Sequence, residues 1–419
     1  MQRLGARLLR LTAVLAVLQV LAWSPWVSPA TAVATRADAS FARVVPLALP
    51  LSADAGDGSV ISAIDRALAA RVDALQRRDR MAWLATATAA ARSRQGELFD
   101  GLVALPLADL TLSRVGAARA VGEGWASDVV LGYRLAGWDA RPVAATRTQV
   151  FVVRGGRAVL AQDSSADGSG SAEIWDAGPV VAVRSGPALV LGHPRDRRTL
   201  QMVAAAAAQA VPRVTAVWGP QWQRRVVVLV PASQGELRSL LGQSGVTSQI
   251  AAYATSRAPG VGERVVVNPA TFPLLGSVGR RVVLTHEVTH LAARSSTGPG
   301  MPLWLVEGFA DHVGYTGLSL PYRVSAQELR QEVRRGRLPA ALPSDADFAG
   351  DNPRLAAVYE QAWLAVRLLV EQHGRSAVLR FYRAVGAGEQ IDPALRRFLS
   401  TDLRSFTARW QRDLRSRLA

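Results

Sequence analysis

The sequence predicts an α+β protein built in two parts, and three observations support that reading. The chain has 419 residues, too many for one ordinary hydrophobic core. Two helical stretches come first and several Val- and Leu-rich strands follow, the segregated order of an α+β unit. Beyond residue 195 the order turns over to a mainly helical part with a small sheet. The expected organisation is a signal peptide over 1–32, a linker over 33–48, a domain of helices and curved antiparallel sheet over 49–195, and a mainly helical domain over 196–419.

In "SVISAIDRALAARVDALQRRDRMAWLATA", Ile61, Ile64, Leu68, Val72 and Leu75 fall at helical spacing. A second helix is expected around "RSRQGELFDGLVAL". "SDVVLGYRLAG", "TRTQVFVVRGGRAVLAQD" and "AEIWDAGPVVAVRSGPALVLG" then read as strands broken by glycine, with "VVRGGRAV" a hairpin signal. "DSSADGSGSA" is a loop by composition. After "GHPRDRR" comes a helix, "RTLQMVAAAAAQAVPRVTAVWG", with Asp196 available as its cap. "RRVVVLVP" and "GERVVVNP" are strands, separated by the helix "SQGELRSLLG" with Ser233 in the capping position. The rest is helical, and Leu403, Phe406, Trp410 and Leu414 give the last helix one buried face.

Composition excludes several classes of function. The formal charge is +16 and arginine carries all the positive charge, because lysine is absent. The arginines are scattered, without the dense basic block and interleaved aromatics of a nucleic-acid groove, so no nucleic-acid partner is expected. Cysteine is absent, which rules out disulfides, thiolate metal sites and cysteine nucleophiles. A bound metal must therefore take nitrogen and oxygen ligands. The N-terminus reads as an export signal: Arg3, Arg7 and Arg10, the apolar run Leu11–Trp23, then the small-x-small pattern Ala30-Thr31-Ala32. A secreted or envelope-associated protein follows. Envelope association would come through the basic surface or an uncleaved anchor.

The chemistry is concentrated in "RRVVLTHEVTHLAARSSTGPGMPLWLVEGFADHVGY", Arg280 to Tyr315. Residues four apart on a helix share a face, so His286 and His290 offer ring nitrogens to one ion, with Glu287 beside it. This is the H-E-x-x-H zinc pattern of two ligands and a general base. A catalytic zinc needs a third protein ligand. The apolar run that follows is expected to be a buried helix, yet it carries Glu307 and Asp311 at i, i+4. Buried carboxylates are costly unless paired or metal-bound. Glu307 fits the third ligand, and Asp311 fits the acceptor that orients a ligand histidine.

H-E-x-x-H followed by W-L-x-E-G-x-A-[DE] resembles the gluzincin metallopeptidases, which include thermolysin-like and aminopeptidase N-like enzymes. The resemblance spans roughly Arg195 to the C-terminus and rests on His286, Glu287, His290, Glu307 and Asp311. It implies a Zn²⁺ cofactor and a peptide or protein substrate. "VYEQAWLAVRLLVEQHG" is similar to the family helix whose tyrosine stabilises the oxyanion, which implies that role for Tyr359. "ERVVVNP" matches the family's substrate-pairing edge strand, which makes Val266, Val267 and Asn268 candidate substrate-binding residues. The Gly-x-Met-Glu-Asn run that grips a free N-terminus in aminopeptidases is missing there, which favours an endopeptidase. The first domain, through its element order and "RDRMAWLATA", resembles the nuclear transport factor 2-like (SnoaL-like) cone. A catalytically inactive peptidase-fold binding protein is the rival reading. His193, His312 and His373 are read as structural.

Overall fold

The computed structural model describes residues 58–165, 172–242 and 250–419. The expected signal peptide and linker lie outside them. Among the described residues no helix is long and apolar enough to cross a membrane. The fold is α+β. Three helices, α1 (Gly58–Gln76), α2 (Arg80–Ala85) and α3 (Arg92–Val103), precede the antiparallel meander β1 (Leu107–Val121), β2 (Gly124–Leu135), β3 (Val143–Arg154) and β4 (Arg157–Ser165). Gly155 and Gly156, both at positive φ, make the two-residue turn from β3 to β4 that the glycine pair predicts. Helix α1 lays Ile64 and Leu68 on the sheet against Phe151 and Leu160. Strand β1 has no counterpart among the expected strands. Register shifts occur near Asp109 and Gly116, both at positive φ, and they break the alternation that would mark it.

The second sheet has the order β5-β6-β7-β9-β8, formed by Val181–Ser185, Ala188–Gly192, Val226–Val230, Arg264–Val267 and Ala252–Thr255 for β5, β6, β7, β9 and β8. This corrects the boundary expected at residue 195. The β5–β6 hairpin belongs to the second sheet, because Ala188–Gly192 is buried throughout and runs parallel to β7. Helix α4 (Arg197–Trp218) follows β6, and α5 (Gln234–Leu241) follows β7, capped by Ser233 accepting from the Glu236 N–H. Asp196 occupies the cap position of α4 but makes no side-chain cap bond.

The same topology overturns the assignment of Val266, Val267 and Asn268 to an exposed substrate strand. Strand β9 lies between β7 and β8, and all three residues are at most 1% exposed. The Asn268 side chain is spent on the chain itself, donating to the Ile250 carbonyl and accepting from Ala270 N–H. Among the described strands the edges of this sheet are β5 and β8, and β8 is the one beside β9.

One face of this sheet, with Val226, Val228, Val265 and Val267, joins the core of the helical part. The other, with Val227, Leu229, Tyr253 and Val266, packs with Tyr133, Leu135 and Trp138 of the first unit. The helical part comprises α6 (Ser277–Ala293), α7 (Leu303–Tyr315), α8 (Tyr322–Ser325), α9 (Gln327–Arg334), α10 (Leu355–His373), α11 (Arg375–Gly386), α12 (Ile391–Leu399) and α13 (Leu403–Leu418). Helices α7 and α10 meet at Gly308, where an added Cβ would stand 2.3 Å from the Ala362 carbonyl oxygen.

Two predictions follow from this packing. Gly308→Ala must push α7 off α10, and overpacking of this kind costs about 1–3 kcal/mol; chemical denaturation should show the loss. The second concerns His193, whose Nδ1 and Nε2 lie 2.8 Å from the Pro179 carbonyl and from Glu236 Oε1. Only the imidazolium donates to both acceptors. Glu236 raises the His193 pKa above its ordinary value, against the opposing effect of burial. A raised folded-state pKa contributes stability below the unfolded value of about 6.5, and loses it as pH rises through the folded pKa. The stability gap between wild type and His193→Gln should therefore be wider at acidic than at alkaline pH. An equal gap at both would remove the histidine from the pH response.

Candidate metal centre

Helix α6 is buried on most of its surface, with Val282, Val283, Leu284, Val288, Ala292 and Ala293 packed in the core. That packing forces the polar face of the same helix inward too. His286 and Glu287 are fully buried, and His290 retains partial exposure. Helix α7 runs beside α6 and is also buried nearly all round, so Glu307 and Asp311 point into protein at 1% and 4% exposure.

Three side chains converge. His286 Nε2 and His290 Nε2 stand 2.9 Å apart. Glu307 Oε2 lies 3.2 Å from the first and 3.4 Å from the second. Behind them, His286 Nδ1 donates to Asp311 Oδ1 at 2.7 Å. In the neutral ring required of a metal ligand, the proton on Nδ1 leaves the Nε2 lone pair facing His290 and Glu307. Among the described residues this His286–His290–Glu307 group is the one cluster of three His, Asp or Glu side chains able to hold a metal ion. Glu287 sits on the same face with neither carboxylate oxygen hydrogen-bonded.

The electrostatics follow from burial and proximity. Burial acts to raise the Glu307 carboxyl, but His290 and His286 outweigh it and hold it down to about 2. Burial likewise opposes the charged form of His286, but Asp311 more than reverses this and lifts its pKa well above the ordinary range. His290 is lowered by burial. Glu287 is pushed up to about 8 by burial, with Glu307 adding to the effect and His286 opposing it. The Ala254 N–H of β8 draws Glu287 down in part without completing a hydrogen bond.

The donor set fits a divalent ion of borderline softness. It offers two imidazole nitrogens and one carboxylate oxygen from two rigid helices, with the outer nitrogen of His286 anchored. The fully buried Glu287 carboxylate oxygens, without a hydrogen bond, are the second sign, since such groups are normally satisfied.

Tyr359 on α10 is buried, its ring 6.5 Å from that of His286 and edge-on to Phe348 at 5.2 Å. The structure thus brings six of the expected residues together (His286, Glu287, His290, Glu307, Asp311 and Tyr359) and separates Val266, Val267 and Asn268 from them as a buried interior strand. Sequence reasoning missed two contributors. One is Gly308, whose bare Cα lets α7 and α10 touch; its place beside Glu307 was the available signal. The other is the β8 edge with Ala254, a strand of four residues too short to stand out. No protein-family model and no curated protein matches the chain.

Loss of the Asp311 acceptor frees the His286 ring and its tautomer. Such supporting partners are worth about 10–100-fold in metal affinity. Asp311→Ala should therefore bind zinc weaker by that factor in a competition titration with a chromogenic chelator. Unchanged affinity would make the Asp311 bond incidental.

Proposed function

We propose that the chain is an exported zinc-dependent metallopeptidase that acts as an endopeptidase. The observation that carries this is the convergence of His286 Nε2, His290 Nε2 and Glu307 Oε2, with Glu287 partnerless beside them and Asp311 behind. Those three atoms would hold the ion. Bound zinc supplies Lewis acidity, making water a nucleophile near neutral pH and offsetting negative charge on a carbonyl oxygen.

The remaining work belongs to the chain. Glu287, as the carboxylate, accepts a proton from the attacking water and passes it to the leaving amide nitrogen. Burial keeps bulk water from competing for that proton. Tyr359 is the residue assigned to donate to the oxyanion. An extended peptide adds to the free edge of β8, beside α6, through backbone hydrogen bonds. Strand β8, Ala252–Thr255, has no carboxylate to grip a free amine, and Glu263 in the following turn is paired with Arg294 at 3.2 Å. Both features favour cleavage inside a chain. The arginine-flanked apolar run at the N-terminus, ending in Ala30-Thr31-Ala32, supports export.

The test combines metal content with hydrolysis. The purified protein should hold one zinc per chain by mass spectrometry, and Glu307→Ala should lose it. Glu287→Gln should keep the zinc yet cleave N-acetylated peptides slower by about 10²–10⁴-fold, the usual worth of a general base. No zinc in wild type after incubation with excess metal would end the enzyme reading. Zinc without cleavage of any peptide in a diverse library would leave a metal-binding protein of the envelope.

A further inference from the structure

The outer side of α7 carries a cavity separate from the His286–His290–Glu307 cluster. His312, next in the chain after Asp311, faces away from the metal cluster and lines a surface cavity of about 300 Å³. One wall is the contacting pair of rings of Tyr315 and Trp363, whose centroids lie 4.4 Å apart. Leu318 and Leu320 complete the apolar lining. The guanidinium of Arg367 stands at one side, 5.6 Å from the Trp363 ring and 4.7 Å from that of Tyr322.

The polar groups at this cavity are only partly used. Arg367 donates through Nε to Glu371 Oε1 at 2.7 Å. Glu371 is held at its other oxygen by Arg417 Nη2 at 2.6 Å. Among the described residues both Nη groups of Arg367 have no acceptor, and the His312 ring has no hydrogen-bond partner. Burial, with Arg367 second, holds His312 down to about 4, so it is a neutral imidazole at physiological pH.

These features select a ligand. The volume is at the small end of ligand sites, enough for one ring and a short substituent. Flat aromatic walls favour a planar ring. A guanidinium with two free nitrogens favours a carboxylate in its fork, and disfavours a cation. We propose that this cavity is a binding site for a small aromatic carboxylate, with its ring against Tyr315 and Trp363 and its carboxylate on Arg367. The site does not rest on the metallopeptidase reading. It lies near that centre: Tyr315, Ser325 and Trp363 also line a crevice of about 10 Å³ together with Asp311 and Tyr359.

Isothermal titration calorimetry on the full chain with phenylacetate, and with its uncharged isostere phenylacetamide, tests the proposal. Saturable one-to-one binding of phenylacetate is expected, with the amide and Arg367→Gln each weaker by about tenfold or more. Arg367→Lys, which keeps the charge but not the fork, should fall between. The Arg367–Glu371 pair is partly exposed and its loss costs little stability, so Arg367→Gln should stay folded. Leu320→Asp, a partly exposed position, puts a repelling charge in the cavity and should abolish binding by a second route. The proposal is overturned if phenylacetate gives no saturable heat up to the order of 10 mM. It also falls if the amide binds as tightly, or if both variants bind phenylacetate like wild type.

Discussion

His286 donates through Nδ1 to Asp311 across the seam between α6 and α7, and the whole candidate centre is organised by that bond. It decides which ring nitrogen carries the proton, and so which one turns inward toward His290 and Glu307. It holds only if the two helices keep their spacing. Helix α6 is fixed on its other side by the apolar core it shares with α4, through residues such as Val203, Val214 and Val283. Helix α7 is fixed by α10, and the two can approach that closely only because residue 308 has no side chain. A seventeen-residue separation between His290 and Glu307 is thereby closed to 3.4 Å by packing rather than by local chain geometry.

The cost of this arrangement is carried by the surrounding apolar mass. Glu287, Glu307 and Asp311 are all at most 4% exposed, and carboxylates moved into such surroundings are expensive unless compensated. Asp311 is compensated by His286, and Glu307 by the two imidazoles. Glu287 has no hydrogen-bond partner and responds by a raised pKa. Val283, Leu284, Val288, Leu305, Val306 and Phe309 are buried on the same two helices. Their burial stabilises the pair and offsets charges that would otherwise drive it apart. A local deficit tolerated inside a well-packed frame is the pattern expected where a protein does chemistry rather than where it merely folds.

Much of this was legible in the sequence, for reasons that differ by element. The long helices announce themselves by periodicity, and the candidate ligands His286 and His290 by their offset of four along one helix. Asp311 was readable because a carboxylate in an apolar run demands a partner. Sheet order was not readable, since it depends on contacts far apart in the chain. Even so, one signal was present and pointed the right way. "VVVLV" and "RVVV" are continuous apolar runs, the mark of strands covered on both faces, and such strands do not lie at an edge. The strand beyond "RVVV" in the sheet, "AYAT", is no longer but is less branched. Strand β1 was hidden by its bulges. The domain boundary was misplaced because "VAVRSGPALVLG" reads as a hairpin in either sheet, and only the parallel pairing of β6 with β7 assigns it.

The two units are also less separable than a linear reading implies. Arg264, at the start of β9, makes a two-pronged ion pair with Asp139 of the β2–β3 connection, at 2.5 and 2.9 Å. Arg257, just after β8, donates to the Ala172 carbonyl and to Glu173, and Arg141 reaches the Pro259 carbonyl in the hairpin tip. The Arg264–Asp139 pair is almost fully buried, so removing either member strands the other as an unpaired charge. Meanwhile Tyr133 and Leu135 of β2 cover the sheet face opposite α6. The hairpin that presents the free β8 edge is therefore gripped from one side by the helix bearing Glu287 and from the other by the first unit. Its register against the His286–His290–Glu307 cluster depends on both, which makes the first unit part of the candidate centre's framework rather than an appendage to it.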